Sequence, residues 1–243
     1  MSGILDSEPI ARKTLVIFYL IDTSGSMYGT KIGTVNTVME ETISEIRDIG
    51  GSDSEVKVAV LTFGTDAEWV YESPVSVEEL TWKRIEADGW TNLGDALREL
   101  DSKLSRSGYM KDAHLSFAPI IFLISDGYPQ PGFEEPLERI QNNKWFKHAL
   151  KIAFAVGSDA DKELLAEFTG DKETVVQVMN GEALARLIKF ITIKSSMIGS
   201  KSTMNVEGKE ISDEEADEMK KKQLVTEIQN AVDPNDLQLD SGW

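Results

Sequence analysis

Short continuous apolar runs recur along this chain and alternate with stretches that have the periodicity of amphipathic helices. The apolar runs predict β-strands at residues 15–21, 56–63, 120–125, 152–156 and 174–178. Runs in which nearly every residue is apolar are typical of strands buried on both faces. A further run at residues 70–77 contains Pro74, which favours an edge strand that turns back beside the second strand.

Helical periodicity fills the segments between the predicted strands. Amphipathic patterns predict helices at residues 35–49, 93–104, 137–145, 162–168 and 182–193. Strands that alternate with helices build a mainly parallel sheet, because each crossover carries a helix over one face. The pattern predicts the α/β class: a Rossmann-like three-layer sandwich with a mainly parallel central sheet, one antiparallel edge strand and helices on both faces.

The pattern changes after Ser195 and divides the chain into three predicted segments. Residues 1–12 form an N-terminal extension, residues 13–195 the α/β domain, and residues 196–243 an acidic linker with a helical or disordered tail. Ser212-Asp213-Glu214-Glu215 has the layout of a capping box, and a sparse apolar stripe predicts a helix that ends before Pro234. We expect this tail to have a regulatory role, with a structural spacer as the alternative.

Composition excludes several classes of protein. Of 243 residues, 41% are hydrophobic and 28% are charged, which is typical of a soluble globular protein. The chain has no apolar run near the roughly 20 residues of a membrane helix. Its amino terminus lacks the basic-then-apolar layout of a secretory signal. The absence of cysteine excludes disulfides and thiolate metal sites, so we expect a cytoplasmic protein without membrane contact.

The formal net charge of -17 bears on the choice of partners. Nucleic-acid binding needs a concentrated basic surface, so DNA and RNA are not expected as partners. A surplus of acid favours cations and basic protein surfaces, although solubility is the ordinary explanation for most of these charges.

Polar residues follow two of the predicted strands, and a third polar segment precedes a predicted helix. Asp22, Ser24 and Ser26 come after the first strand, Asp126 comes after the strand at 120–125, and Thr91 lies just before the helix at 93–104. Each has an ordinary explanation as a cap or turn residue. The carboxyl ends of parallel strands meet at one edge of a sheet, and ligands bind there. Hydroxyls and carboxylates suit Mg²⁺, so the set predicts a metal site, with Mn²⁺ or Ca²⁺ also possible.

The groups that catalysis would need are sparse. The histidines are His114 and His148, neither of which lies in a ligand or triad motif, and the chain has no phosphate-binding glycine loop. We therefore predict that the protein is not an enzyme. The alternative is a Mg²⁺-dependent phosphatase or phosphotransferase of the haloacid-dehalogenase-like type with Asp22 as nucleophile. Such enzymes carry a second aspartate two residues later, where this chain has Ser24.

The ordered set of Asp-x-Ser-x-Ser, a distant Thr and a strand-end Asp-Gly resembles the metal-ion-dependent adhesion site of the von Willebrand factor A domain family. The resemblance covers most of residues 13–195. It implies that Ser24, Ser26 and Thr91 ligate the metal directly and that Asp22 and Asp126 act through water. It also implies an open coordination position for an acidic residue of a partner protein, and therefore a metal-dependent interaction module.

A narrower resemblance rests on residues 89–97 and 124–129, which look most like the bacterial TerY-type proteins of tellurite-resistance and stress clusters. This resemblance implies an adaptor in a stress-response system. It also implies a protein kinase and a metal-dependent serine/threonine phosphatase as partners. Ser200, Ser202 and Thr203 in the linker are candidate sites for such a kinase.

Aromatic residues near the predicted metal site are candidates for the rim of a docking surface, since aromatics are frequent interface anchors. Local packing is the alternative role. Trp90 also marks a departure from the family pattern, because many relatives have glycine before the threonine. The candidate rim residues are Tyr28, Trp90, Tyr128, Pro129 and Phe133.

Overall fold

A central β-sheet organises the residues that the computed structural model describes, namely 12–47, 54–112, 114–126, 129–158, 160–199 and 212–232. Its seven strands follow the order β3-β2-β1-β5-β6-β7, with β4 also paired to β2. β3 and β4 run antiparallel to β2, and the other pairs are parallel. The strands are β1 (Lys13–Asp22), β2 (Ser54–Phe63), β3 (Ala67–Trp69), β4 (Val75–Ser76), β5 (Ile120–Ser125), β6 (Leu150–Val156) and β7 (Val175–Val178).

Helices cover both faces of this sheet. α1, α6 and α7 pack on one face and α2, α3, α4 and α5 on the other, so the three-layer α/β prediction is confirmed. None of the helices in the described ranges is long and apolar enough to cross a bilayer. The helices are α1 (Thr30–Ile46), α2 (Leu93–Lys103), α3 (Glu134–Gln141), α4 (Lys144–His148), α5 (Lys162–Thr169), α6 (Gly181–Gly199) and α7 (Asp213–Ala231).

The central strand β1 is apolar at every position from Leu15 to Ile21 because both of its faces are buried. Side chains at odd positions join the core under α1 and α6, and those at even positions join the core under α2 and α5. The hydroxyl of Tyr19 donates to Oγ1 of Thr192 on α6 at 3.0 Å, so this buried polar atom is satisfied. Its burial raises the pKa of Tyr19, which keeps the phenol neutral.

Strand order reverses beside β1. The chain leaves β1 for β2 on one side and later returns to place β5 on the other side. Ligands of open α/β sheets bind outside the carboxyl ends of the strands at such a switch point. The carboxyl ends of β1 and β5 carry Asp22 and Asp126, so the fold brings these two predicted residues to the switch point.

Two predicted elements differ from the structure. The segment predicted as one helix at 137–145 forms parts of two helices. α3 ends at Gln141 with Asn142 as its C-cap, and Asn143 caps α4 by accepting a hydrogen bond from the Trp145 amide at 2.9 Å. The edge strand predicted at 70–77 is reduced to β4, while β3 precedes it. Both strands pair antiparallel with β2, as the position of Pro74 suggests.

α7 packs against α6 and the sheet. Leu224, Ile228 and Ala231 belong to the same buried cluster as α6, and Ser212 forms the predicted capping box with Glu215. α6 continues to Gly199, so helix is present on both sides of Ser195. The proposed boundary at 195 and the regulatory role of the tail stay predictions. The linker sites Ser200, Ser202 and Thr203 lie outside the described residues.

Replacement of Leu224 by alanine tests this packing. Leu224 has 0% exposure, so Leu224→Ala should lower the free energy of unfolding by about 2 to 4 kcal/mol through lost contacts and a cavity. Met219→Ala on the same helix is the control, since Met219 is 54% exposed and should change stability by less than about 0.5 kcal/mol. Equal effects of the two variants in urea unfolding would contradict the packing of α7.

Candidate metal centre

Two carboxylates lie side by side at the switch point. Asp22 is the last residue of β1, and Asp126 directly follows β5, the parallel neighbour of β1. Both residues are buried, at 0% and 4% exposure. Buried carboxylates need hydrogen bonds or a cation to offset the loss of water, so their environment decides what the site does.

The Asp22 carboxylate is held in one orientation by two donors. The backbone N–H of Ser24 donates to Oδ1 at 2.8 Å, and Oγ of Ser125 donates to Oδ2 at 2.7 Å. Burial nevertheless raises the pKa of Asp22 from 3.8 to about 6, and the negative charge of Asp126 adds to the increase. An environment of this kind favours a bound cation, which would offset both effects.

Ser24 and Ser26 connect the carboxylates in a chain of hydrogen bonds. Their Oγ atoms are 3.0 Å apart, and Oγ of Ser26 donates to Oδ1 of Asp126 at 2.7 Å. Ser24 is buried and Ser26 is exposed, so the chain runs from the floor of the site to the surface. Asp22, Ser24, Ser26 and Asp126 are therefore brought together as the sequence predicts.

The spacing of these oxygens fits a hard cation. Ligands of octahedral Mg²⁺ lie about 2.1 Å from the ion, which places adjacent ligand oxygens about 3.0 Å apart. The Oγ atoms of Ser24 and Ser26, which are both predicted direct ligands, are 3.0 Å apart and so match that value. Among the described residues, no group of three or more His, Cys, Asp or Glu side chains is placed so that it could hold a metal ion. The donor set is thus rich in hydroxyls, which suits Mg²⁺, Mn²⁺ or Ca²⁺ better than a thiolate-preferring metal.

Thr91 lies on a loop that backbone hydrogen bonds attach to the same edge. The N–H of Gly25 donates to the carbonyl of Gly89 at 3.0 Å, and the N–H of Gln130 donates to the carbonyl of Thr91 at 2.9 Å. Gly89 has φ +83°, and a Cβ there would lie 2.2 Å from Oγ1 of Thr65, so glycine is required. Among the described residues, the Thr91 hydroxyl makes no hydrogen bond to the other predicted ligands.

Lys31 is a member of the site that sequence reasoning missed. It lies in the first turn of α1, the helix that follows the serine loop, and its Nζ forms an ion pair with Oδ2 of Asp126. The Lys31 side chain is 20% exposed and that of Asp126 is 0% exposed, so the pair is largely shielded from water. The signal in the sequence is weak, since only the position of Lys31 at the start of this helix places it near the edge.

Of the candidate rim residues that the structure describes, two are exposed at the surface and two are partly covered. Tyr28 and Trp90 are 78% and 66% exposed, whereas Pro129 and Phe133 are half-buried, and Phe133 packs against the core beside α2. Tyr128 lies outside the described residues, as does Gly127. The large exposed aromatics are therefore Tyr28, on the loop after Ser26, and Trp90, beside Thr91.

The histidines lie at the other edge of the sheet. His114 precedes β5 and His148 precedes β6, so both are near the amino ends of these strands. Nδ1 of His148 pairs with Oδ2 of Asp217 on α7 at 2.5 Å. Neither histidine is placed to act on a ligand at the carboxyl edge.

Comparison with known proteins gives a family match over most of the chain. The sequence profile of the von Willebrand factor type A domain matches residues 17–190. Inter-alpha-trypsin inhibitor heavy chain H2 of Mus musculus is 25% identical over 195 residues, which are 75% of this chain and 20% of that protein. Heavy chain H6 of Homo sapiens is 28% identical over 159 residues, which are 61% of this chain and 12% of that protein. The chain thus spans only a fifth or less of the length of these relatives.

Solved structures share the fold at lower identity. A von Willebrand factor type A protein from Catenulispora acidiphila superposes with a TM-score of 0.56 at 19% identity, over 77% of this chain and 43% of the other. Proximal thread matrix protein 1 from the mussel byssus, with a zinc-occupied MIDAS motif, superposes with a TM-score of 0.55 at 15% identity. The match covers 78% of this chain and 47% of the other. The ArnB paralog VWA2 from Sulfolobus acidocaldarius superposes with a TM-score of 0.54 at 18% identity. The match covers 77% of this chain and 46% of the other. These similarities bear on the fold.

Burial of Asp22 makes a testable prediction for the metal-free protein. The folded state binds the Asp22 proton more tightly than the unfolded chain does, so this contribution to stability is full below pH 3.8 and is lost as the pH rises through about 6. In the presence of a chelator, Asp22→Asn should therefore gain on the order of 2 kcal/mol relative to wild type between pH 4 and pH 7.

Urea unfolding at several pH values measures this difference. Asp66→Asn is the matched control, since Asp66 is exposed and its replacement should leave the pH dependence of wild type unchanged. A difference between wild type and Asp22→Asn that stays constant from pH 4 to pH 7 would mean that the Asp22 carboxylate is not desolvated.

Proposed function

The chain belongs to the von Willebrand factor type A domain family, and from this premise we propose that it is a metal-dependent protein–protein interaction module. The observation that carries the proposal is the hydrogen-bonded set of Asp22, Ser24, Ser26 and Asp126 at the switch point of the sheet. In this proposal Ser24, Ser26 and Thr91 hold the cation directly, and Asp22 and Asp126 act through water. Mg²⁺ is the proposed cation, with Mn²⁺ or Ca²⁺ as alternatives.

The residues of the site have separate tasks. Asp22 is fixed by the Ser24 amide and the Ser125 hydroxyl, so its charge lies at a constant position under the serine loop. Ser24 and Ser26 hold their hydroxyl oxygens 3.0 Å apart, with Ser24 at the floor of the site and Ser26 at its surface. When bound, a divalent cation supplies positive charge and an open coordination position for a carboxylate of the partner. The zinc-occupied MIDAS motif of the mussel byssus protein supports a divalent cation at this type of site.

The overall charge explains why the cation would be needed. With a formal net charge of -17, the protein repels acidic partner segments at long range. Two carboxylates at the docking point add local repulsion at short range. A partner carboxylate therefore needs a strong local positive charge, so removal of the cation should abolish its binding.

The exposed aromatics support docking at this edge. Tyr28 and Trp90 project from two loops of the site, and large exposed aromatics beside a polar centre suit a protein interface. We propose that they contact the surface around the partner's acidic residue. The bulk of Trp90 would then restrict the approach to the open position.

A catalytic role for Asp22 is the second candidate, as a haloacid-dehalogenase-like phosphatase or phosphotransferase. Several contacts disfavour it: the Asp22 side chain is fully buried, both of its oxygens accept hydrogen bonds, and position 24 is serine rather than a general acid. We therefore propose that the protein is not an enzyme. Phosphatase turnover that requires Mg²⁺ and disappears in Asp22→Asn would favour the catalytic candidate instead.

The biological setting stays a proposal of its own. Residues 89–97 and 124–129 resemble TerY-type proteins, and on that basis we propose an adaptor in a bacterial tellurite-resistance or stress-response system. Its partners would be a protein kinase and a metal-dependent serine/threonine phosphatase. The relatives described above are inter-alpha-trypsin inhibitor heavy chains, so they do not bear on this setting. The cytoplasmic location predicted from the cysteine-free composition belongs to the same proposal.

Isothermal titration of the metal-stripped protein with MgCl₂ and MnCl₂ tests the site. We expect saturable binding with one ion per chain, weakened at least tenfold in Ser24→Ala and in Thr91→Ala, because each loses a direct oxygen ligand. Thr37→Ala is the control, since it removes an exposed hydroxyl on α1 away from the loops. Wild-type affinity in both ligand variants, with folding intact, would refute the assignment.

A further inference from the structure

Lys31 is a positive charge built into the candidate metal centre. Its Nζ contacts Oδ2 of Asp126, while Ser26 donates to Oδ1 of the same carboxylate. Asp126 is buried and Lys31 is mostly covered, so water screens this pair less than a surface ion pair. The lysine thus lies beside the place where the proposed function puts a divalent cation.

A cation in the site and the Lys31 ammonium would compete for Asp126. Both charges would be attracted to this carboxylate, so they would repel each other in a partly desolvated setting. In the metal-free protein the ammonium also offsets part of the repulsion between the neighbouring carboxylates of Asp22 and Asp126. Lys31 therefore stabilises the site when no cation is bound and opposes binding of the cation.

The net charge of the site follows from three groups, namely the carboxylates of Asp22 and Asp126 and the ammonium of Lys31. The two carboxylates and one ammonium leave one net negative charge, so a divalent cation gives one net positive charge. A single carboxylate from outside then makes the site neutral. Without Lys31 the loaded site would already be neutral, and an added carboxylate would leave it negative. Lys31 thus weakens binding of the cation to the protein alone. The cation would then bind more tightly when an anionic ligand is also present.

We propose that Lys31 is a specificity-determining residue that weakens binding of the cation alone and makes binding of cation and carboxylate cooperative. This inference rests on the proposed function, since it concerns the same site. It differs from a structural role, in which the Lys31–Asp126 pair would only hold α1 to β5. A structural role predicts that loss of the lysine loosens the site and weakens metal binding. Our proposal predicts that the same loss strengthens metal binding.

Manganese titration followed by electron paramagnetic resonance of free Mn²⁺ separates these alternatives. The probes are MnCl₂ alone and MnCl₂ with sodium acetate, with sodium chloride at the same ionic strength as the reference. We expect Lys31→Met to bind Mn²⁺ about tenfold more tightly than wild type in chloride. Acetate should tighten Mn²⁺ binding in wild type and should have a several-fold smaller effect in Lys31→Met.

Three further variants make the result specific. Lys31→Gln repeats the neutral change with a polar side chain in case Lys31→Met unfolds, and Lys31→Arg should stay within about threefold of wild type because it keeps the charge. Lys222→Met removes the same charge from an exposed position on α7 and should behave as wild type. Thermal unfolding followed by circular dichroism confirms that each variant is folded.

Each outcome decides between the proposals. If neither wild type nor the Lys31 variants bind Mn²⁺, the proposed function fails, and this inference fails with it. If wild type binds and the neutral variants bind equally or more weakly, only the role of Lys31 is overturned. Acetate that leaves the Mn²⁺ affinity of wild type unchanged would overturn the cooperative part.

Discussion

Burial of two neighbouring carboxylates at the carboxyl ends of β1 and β5 is the constraint on which the rest of the site depends. Desolvation opposes the charge of Asp22, and the nearby charge of Asp126 opposes it further. The Ser24 amide and the hydroxyls of Ser26 and Ser125 offset part of that free energy through hydrogen bonds. Lys31 offsets another part. The arrangement is therefore suited to a cation, which would satisfy both carboxylates at once.

The fold makes this arrangement rigid. β1 is buried on both faces from Leu15 onward, so Asp22 is carried at the end of an enclosed strand and has little freedom to move toward water. Backbone hydrogen bonds join the loop after β1 to the loop at Gly89, and that loop in turn to Gln130. Three separate loops are thus fixed at one point of the sheet edge. A preformed set of oxygens loses less entropy on binding a ligand than mobile loops would.

Sequence patterns predict the layers, and they predict that Asp22 and Asp126 lie close together, because both follow from general rules of strand patterning and sheet topology. Continuous apolar runs identify the buried strands, and the switch-point rule then brings Asp22 and Asp126 together. The break at Asn142 and Asn143 is not visible in the pattern because a helical period continues across it, and only the cap of α4 at Asn143 shows that a second helix begins there. Lys31 was missed because a lysine in a helix is ordinarily solvated, and its pair with Asp126 is a long-range contact. Whether Thr91 ligates a metal stays a prediction.

The most direct test of the central claim is a crystal structure of the protein grown with MnCl₂ at neutral pH, with an anomalous difference map recorded at the manganese absorption edge. The account predicts one strong peak within about 2.2 Å of the hydroxyl oxygens of Ser24, Ser26 and Thr91, with Asp22 and Asp126 reached through water. A map without a peak at the carboxyl ends of β1 and β5, in crystals where the ion saturates other sites, would contradict it.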